Sequence, residues 1–168
     1  AVCLNSGIIS FAQEYDLLIK NAHMIDPKNE IDQKMDLAIA EGKIARVAAQ
    51  ISESDAKTTI DASGLYITPG IIDMHAHLFW GTEQGSYLSN SSASLPPDGF
   101  TFRAGVTTVV DAGSAGWRNF KTFREQTIDN SRTRVFAYVN IVGPGMKGGA
   151  VEQNLGDMDP KLTAIVAK

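Results

Sequence analysis

An α/β fold, with a β-rich opening part leading into parallel strands that alternate with helices, is what this 168-residue sequence predicts. Three patterns predict it. From Tyr15 to Leu65 apolar residues recur with a short, strand-like period interrupted by turn chemistry. From Tyr66 onward, strand-like apolar runs alternate with helix-like ones, the order that builds a parallel sheet covered by helices. The first of those later runs, Ile67-Thr68-Pro69-Gly70-Ile71-Ile72-Asp73-Met74-His75-Ala76-His77, closes on two histidines two residues apart. Side chains at that spacing on a strand share a face. The run therefore delivers two neutral imidazole nitrogens to one point, a donor pair that suits Zn²⁺ and its borderline neighbours.

The elements follow in chain order. The apolar start, Ala1-Val2-Cys3-Leu4 through Gly7-Ile8-Ile9-Ser10-Phe11-Ala12, resembles the tail of a secretory signal peptide, with small Ser10 and Ala12 placing the cut before Gln13. Residues 1–14 are thus expected to be a signal-peptide remnant or linker, and the mature protein is expected in the periplasm or outside the cell. An irregular N-terminal strand is the alternative, with a cytoplasmic location. Val2 is too bulky for a lipoprotein signal at Cys3, and that single cysteine leaves no disulfide after cleavage.

Residues 15–65 read as part of a small β-sandwich. Leu17, Ile19, Met24 and Ile25 alternate with polar neighbours, and Asp26-Pro27-Lys28-Asn29 has the composition of a turn. Glu41-Gly42 joins two apolar runs as a two-residue hairpin connection, with the glycine taking a positive φ. His23 stands alone and is expected to be structural or exposed.

Residues 66–168 read as the strand and helix alternation. The first strand is expected over residues 66–74 with Ile71 and Ile72 buried. Asp73 has the parity of both histidines, and is expected either to orient a ring nitrogen or to shape the strand end. A polar, Ser-rich segment fills residues 81–99, and residues 101–104 are the tail of a short helix before the second strand, 106–111. Asp111-Ala112-Gly113-Ser114 reads as turn chemistry in preference to a catalytic carboxylate. Trp117, Phe120, Phe123 and Ile128 predict a helix over 115–130, followed by a third strand over 134–142. Asp159 and Pro160 are the expected N-cap and first residue of a last helix. Trp80, with Phe79, either walls a substrate pocket or packs beneath the polar segment; Trp80 and Asn140 are kept as substrate-pocket candidates. Gly143-Pro144-Gly145-Met146-Lys147-Gly148 matches a dinucleotide-binding pattern, but Pro144 removes a donor from the supposed phosphate cradle and no long helix follows. A flexible rim loop is expected there instead.

With 43% hydrophobic and 20% charged residues and a net charge of −4, the chain has ordinary globular composition and no basic surface for nucleic acid. No apolar run is long enough to span a bilayer.

Pro69-Gly70-Ile71-Ile72-Asp73-Met74-His75-Ala76-His77 resembles the first-strand signature of the amidohydrolase superfamily, metal-dependent hydrolases built on a (β/α)₈ barrel of the TIM type. Asp16-Leu17-Leu18-Ile19-Lys20-Asn21-Ala22, Asp36-Leu37-Ala38-Ile39-Ala40-Glu41-Gly42-Lys43-Ile44 and Ile60-Asp61-Ala62-Ser63-Gly64-Leu65 resemble the small β-domain before that barrel. Gly105-Val106-Thr107-Thr108-Val109-Val110-Asp111-Ala112-Gly113-Ser114 resembles its second strand in the dihydroorotase-like and deacetylase-like branch. The resemblance implies a partial barrel of three strands, preceded by a β-sandwich that is incomplete in this chain and leaves an edge unpaired. It implies that His75 and His77 bind a divalent metal, zinc first, as one or two ions, and that an activated water attacks amide or cyclic amide C–N bonds other than peptide bonds. A bridging lysine, two further histidines and an aspartate base are implied on the fourth, fifth, sixth and eighth strands. A barrel takes roughly 250 residues, so those positions fall beyond Lys168, and Lys168 itself reads as helical and not as the bridging lysine. These residues are expected to be an N-terminal fragment, inactive by itself. The expected partner is a small-molecule substrate, and self-association into a homo-oligomer is compatible with the sequence. The competing expectation is a non-catalytic binding or interaction module in which the histidine pair is incidental.

Overall fold

The structure, a computed structural model, describes residues 13–80 and 94–168. The leader reading and most of the Ser-rich segment lie outside the described residues. The chain divides into two compact units, Ala1–Pro69 and Gly70–Lys168.

In the first unit, β1 (Leu17–Asp26) and β2 (Ile31–Ala40) pair antiparallel across a 3₁₀ turn, Pro27–Asn29. Asp26 caps that turn by accepting the backbone N–H of Lys28 at 3.1 Å. β2 returns as β3 (Lys43–Ala48) through Glu41-Gly42, where both residues take positive φ, 51° and 69°. That is the doubly left-handed geometry of the tightest hairpins, so Glu41 shares a conformation expected only of the glycine. β4 (Thr59–Asp61) and β5 (Tyr66–Ile67) run parallel to β1 along its other side. The described residues of this unit therefore form one five-stranded hydrogen-bonded sheet, β3-β2-β1-β4 with β5 beside β1.

Tyr15, Leu18, Ala38, Ile51 and Ala56 form the core of this unit. β1 slips register between Ile19 and Ala22, at Asn21 with φ 64°. The freed N–H of Asn21 donates to Asp36 Oδ1 at 2.9 Å, while Ile51 N–H donates to Oδ2 at 2.9 Å and Lys20 Nζ lies 3.4 Å away. Burial alone would raise the pKa of Asp36, but these donors and the ammonium outweigh it and hold the carboxyl below its ordinary value. His23 has a structural place, with Nε2 2.6 Å from Asp32 Oδ1 and its ring 5.1 Å from that of Tyr66.

The strand expected over residues 66–74 is two strands. Tyr66–Ile67 pairs with β1, and a new strand begins at Ile71. Pro69 has no N–H to continue a ladder, and the chain breaks around it.

In the second unit β6 (Ile71–Ala76), β7 (Val106–Asp111) and β8 (Arg134–Ala137) form a parallel sheet in the order β6-β7-β8. α1 (Pro97–Phe100) and a 3₁₀ turn, Phe102–Ala104, lead into β7. Between β7 and β8 the expected 115–130 helix shrinks to α2 (Phe120–Phe123) and a π-type turn, Arg124–Ile128. The shortening has a cause: Gly116 pairs with Asn140 in an isolated bridge and gives its N–H to Asn119 Oδ1, so the first residues are committed to loop contacts. Strand three stops at Ala137 for the same reason, Asn140 and Val142 making only single bridges to Gly116 and Met158.

α3 (Gly149–Glu152) precedes α4 (Pro160–Val166), which begins as expected: Asp159 Oδ1 accepts the N–H groups of Lys161 and Leu162 at 2.9 Å each. Leu78, Phe79, Val109, Ala115, Phe120 and Phe123 form the core, with the Phe79 and Phe123 rings 5.1 Å apart. Phe79 is thus a packing residue. Ile71 and Ile72, expected to be buried, are 53% and 57% exposed. They lie on β6, the edge strand of its sheet, and among the described residues they are only partly covered.

Candidate functional site

The histidine pair is positioned by a bulge. Asp73 is in register with Val109 and Ala76 with Asp111, so β6 takes three steps where β7 takes two. The extra residue falls at Met74 and His75, and there Asp73 Oδ1 accepts the backbone N–H of His75 at 3.0 Å. The Asp73 carboxylate thus shapes the main chain at the strand end, one of the two roles expected of it.

Past the bulge the two imidazoles come together. Their centroids are 5.4 Å apart with the rings at 84°. His75 is exposed and His77 half-buried. His77 Nδ1 lies 3.0 Å from the hydroxyl of Ser114, a fully buried residue on the turn after β7. With hydrogen on Nδ1, Nε2 keeps its lone pair for a ligand.

Asp111 builds the support for this contact. Its side chain is fully buried; Oδ1 accepts the Ser114 N–H and Oδ2 the Leu78 N–H, both at 2.7 Å. One carboxylate thus fixes the turn that carries Ser114 and the segment that carries His77, which is the structural role expected of it. The loop at Gly143-Pro144-Gly145, expected to be a flexible rim, is packed instead. Gly143 and Gly145 are buried. Arg118 N–H donates to Gly143 O at 3.0 Å, Asn119 Nδ2 to Pro144 O at 3.0 Å and Met146 N–H to Gly113 O at 3.1 Å. Arg118 also pairs with Asp157.

A cavity of about 330 Å³ is lined by Asp73, His75 and His77 together with Leu95, Pro97 and Phe100. Trp80 lies at a different one, of about 190 Å³, with Pro96, Asp98, Thr127 and Asn130. The Asn140 amide is committed to loop backbone: Oδ1 accepts from Val142 N–H at 3.0 Å and Nδ2 donates to Gly113 O at 3.3 Å. Neither Trp80 nor Asn140 lines the histidines' cavity.

The donor chemistry fits a borderline divalent cation: two imidazole rings lie side by side, and one has a nitrogen engaged by a buried hydroxyl. Among the described residues no group of three or more His, Cys, Asp or Glu forms a complete set of ligands. In the sequence Ser114 has only the signature of a turn former. The Asp111-to-Ser114 spacing of three signalled the turn, but nothing local signalled His77, 37 residues away.

No family model matches the chain. It is 36% identical over 156 residues to a deacetylase of Enterococcus faecalis, a match covering 92% of this chain and 37% of that protein. The crystal structure of a dihydroorotase superposes with a TM-score of 0.74 at 28% identity, over 89% of this chain and 38% of the other. That of an adenine deaminase does so at 0.67 and 36% identity, over 90% and 38%. The chain spans 24% to 37% of the length of the first curated relatives it matches. About nine-tenths of the chain is matched in each of these three, more than either unit holds alone, and on that likeness the chain belongs to the amidohydrolase superfamily.

Proposed function

We propose that this chain is the opening part of a metal-dependent hydrolase of carbon–nitrogen bonds in amides or cyclic amides, with His75 and His77 holding one divalent ion, zinc first. The observation that carries the reading is the convergence of two imidazoles 5.4 Å apart at the end of a parallel strand. The similarity to proteins named deacetylase and dihydroorotase supports the substrate class, a small molecule with an amide or a ring amide. The three parallel strands are read as the start of a TIM-type barrel, whose chemistry sits at the carboxyl ends of its strands, where both histidines lie.

When bound, the metal lowers the pKa of a coordinated water and polarises a carbonyl. This chain's residues do the holding. Asp73 fixes the bulge that turns His75, and Ser114 and Asp111 fix His77. Two imidazoles are one short of the three protein ligands usual at catalytic zinc, so the remaining donors and the general base are assigned outside these 168 residues. A second ion at the same site and export from the cytoplasm, the latter resting on Ser10 and Ala12, belong to the same proposal.

The test is hydrolysis of N-acetylated amino acids and of cyclic amides by the full-length gene product, before and after chelation. Turnover of either class that is lost on chelation and regained with zinc supports the reading. Turnover indifferent to chelation, or none on either class, contradicts it; in the second case a binding module with an incidental histidine pair takes its place. The 168 residues alone are expected to show no turnover.

A further inference from the structure

We propose that Ser114 is a positioning residue for His77: its hydroxyl accepts a hydrogen bond from Nδ1–H, selects that tautomer and leaves Nε2 as the donor atom. The inference rests on the reading of His77 as a metal ligand and adds to it the residue that orients the ring.

Three observations converge on the pair. Ser114 is fully buried, and its Oγ stands 3.0 Å from His77 Nδ1. A neutral imidazole carries its hydrogen on either nitrogen, and in water both forms are populated, so a fixed partner on one nitrogen decides which lone pair faces outward. Asp111 ties both backbones involved, taking the N–H of Ser114 and of Leu78, the residue after His77, at 2.7 Å each. The hydroxyl and the ring are thus held in mutual register by one buried carboxylate. Finally, the turn is braced from behind: Met146 N–H donates to Gly113 O, and Gly145 closes so tightly over Ser114 that a Cβ there would stand 2.2 Å from its carbonyl oxygen. A serine kept only for turn chemistry would need neither the burial nor the contact 37 residues away.

The experiment measures zinc affinity by competition with a chromophoric chelator, and the ring tautomer by long-range ¹⁵N–¹H correlation, in the purified protein. Ser114→Ala is expected to weaken zinc binding about 10- to 100-fold, the usual cost of losing the partner of a metal-bound histidine, and to let His77 populate both tautomers. Ser114→Thr and Ser114→Val form a second pair that differs only by hydroxyl against methyl, so any crowding is common to both. The threonine form is expected to bind zinc more tightly than the valine form by a similar factor. Equal affinities within the pair, or a His77 in the wild type with hydrogen on Nε2, overturn the inference. His77→Ala separates the two levels: if it abolishes zinc binding while Ser114→Ala leaves it unchanged, the ligand reading stands and the positioning role falls. If His77→Ala binds zinc as the wild type does, both fall.

Discussion

Gly145 lies against Ser114 so closely that a Cβ added to it would stand 2.2 Å from the Ser114 carbonyl oxygen. With φ at +80°, the position also takes a backbone conformation that side chains disfavour. The loop therefore acts as a brace behind the residue that meets His77, and its glycine is fixed by packing and not by a phosphate ligand.

Gly145→Ala is expected to destabilise the protein by about 2–4 kcal/mol, the sum of a left-handed alanine and an overpacked contact. Gly105→Ala makes the control: φ is +72° and ψ 11° there, an ordinary left-handed conformation, and the nearest atom to the added Cβ is 3.8 Å away. That change is expected to cost only about 1 kcal/mol. Urea unfolding midpoints at unchanged m compare the two; equal losses would remove the brace.

Asp36 sets an acid limit on the first unit. Its folded pKa is depressed below the ordinary 3.8, so the native state holds the ionised form more firmly than the unfolded chain does. The contribution is therefore complete above the unfolded value and is lost as pH falls through the depressed one. Asp36→Asn is expected to lower stability by about 3 kcal/mol at neutral pH, because Lys20 loses its buried partner. It is also expected to flatten the loss below about pH 4. Denaturant unfolding followed across that range checks both; a variant with the wild-type acid slope would show that other carboxylates carry it.

Phe123 is fully buried between Phe79 and Phe120, with ring centroids 5.1 and 6.0 Å away. Phe123→Ala is expected to cost about 3–5 kcal/mol through lost burial and the cavity left behind. The thermal midpoint of the second unit reads it, and a shift no larger than that of an exposed substitution would contradict the core assignment.

Glu41 takes φ 51° in the hairpin with Gly42. Asparagine tolerates this conformation far better, and Asn-Gly is the preferred pair for such a turn. Glu41→Asn is expected to raise stability by about 0.5 kcal/mol, visible as a higher unfolding midpoint; a lower one would show that the Glu41 side chain contributes more than its strained backbone costs.

Features that depend on neighbours a few residues away were legible in the sequence. Asp159 and Pro160 begin the last helix, Asp26 caps its turn, and His75 and His77 meet, because each rests on local geometry. Features set by distant partners were not. Ser114 is joined to His77 by folding alone. The bulge at Met74 and His75 appears only in the register with β7. The 115–130 periodicity was real as an apolar pattern, yet the bridge of Gly116 to Asn140 draws its first residues out of the helix. Ile71 and Ile72 have the composition of buried strand residues, but burial requires a covering element, and the described residues cover them only in part.

In the function proposed above, the imidazoles of His75 and His77 hold one metal ion together. The most direct measurement is the zinc content of the purified full-length protein, beside that of the His75→Ala/His77→Ala variant, with folding of both verified by circular dichroism. At least one zinc per chain is expected in the wild type, with loss of the ion held by this pair in the folded double variant. The same zinc content in both proteins would contradict it.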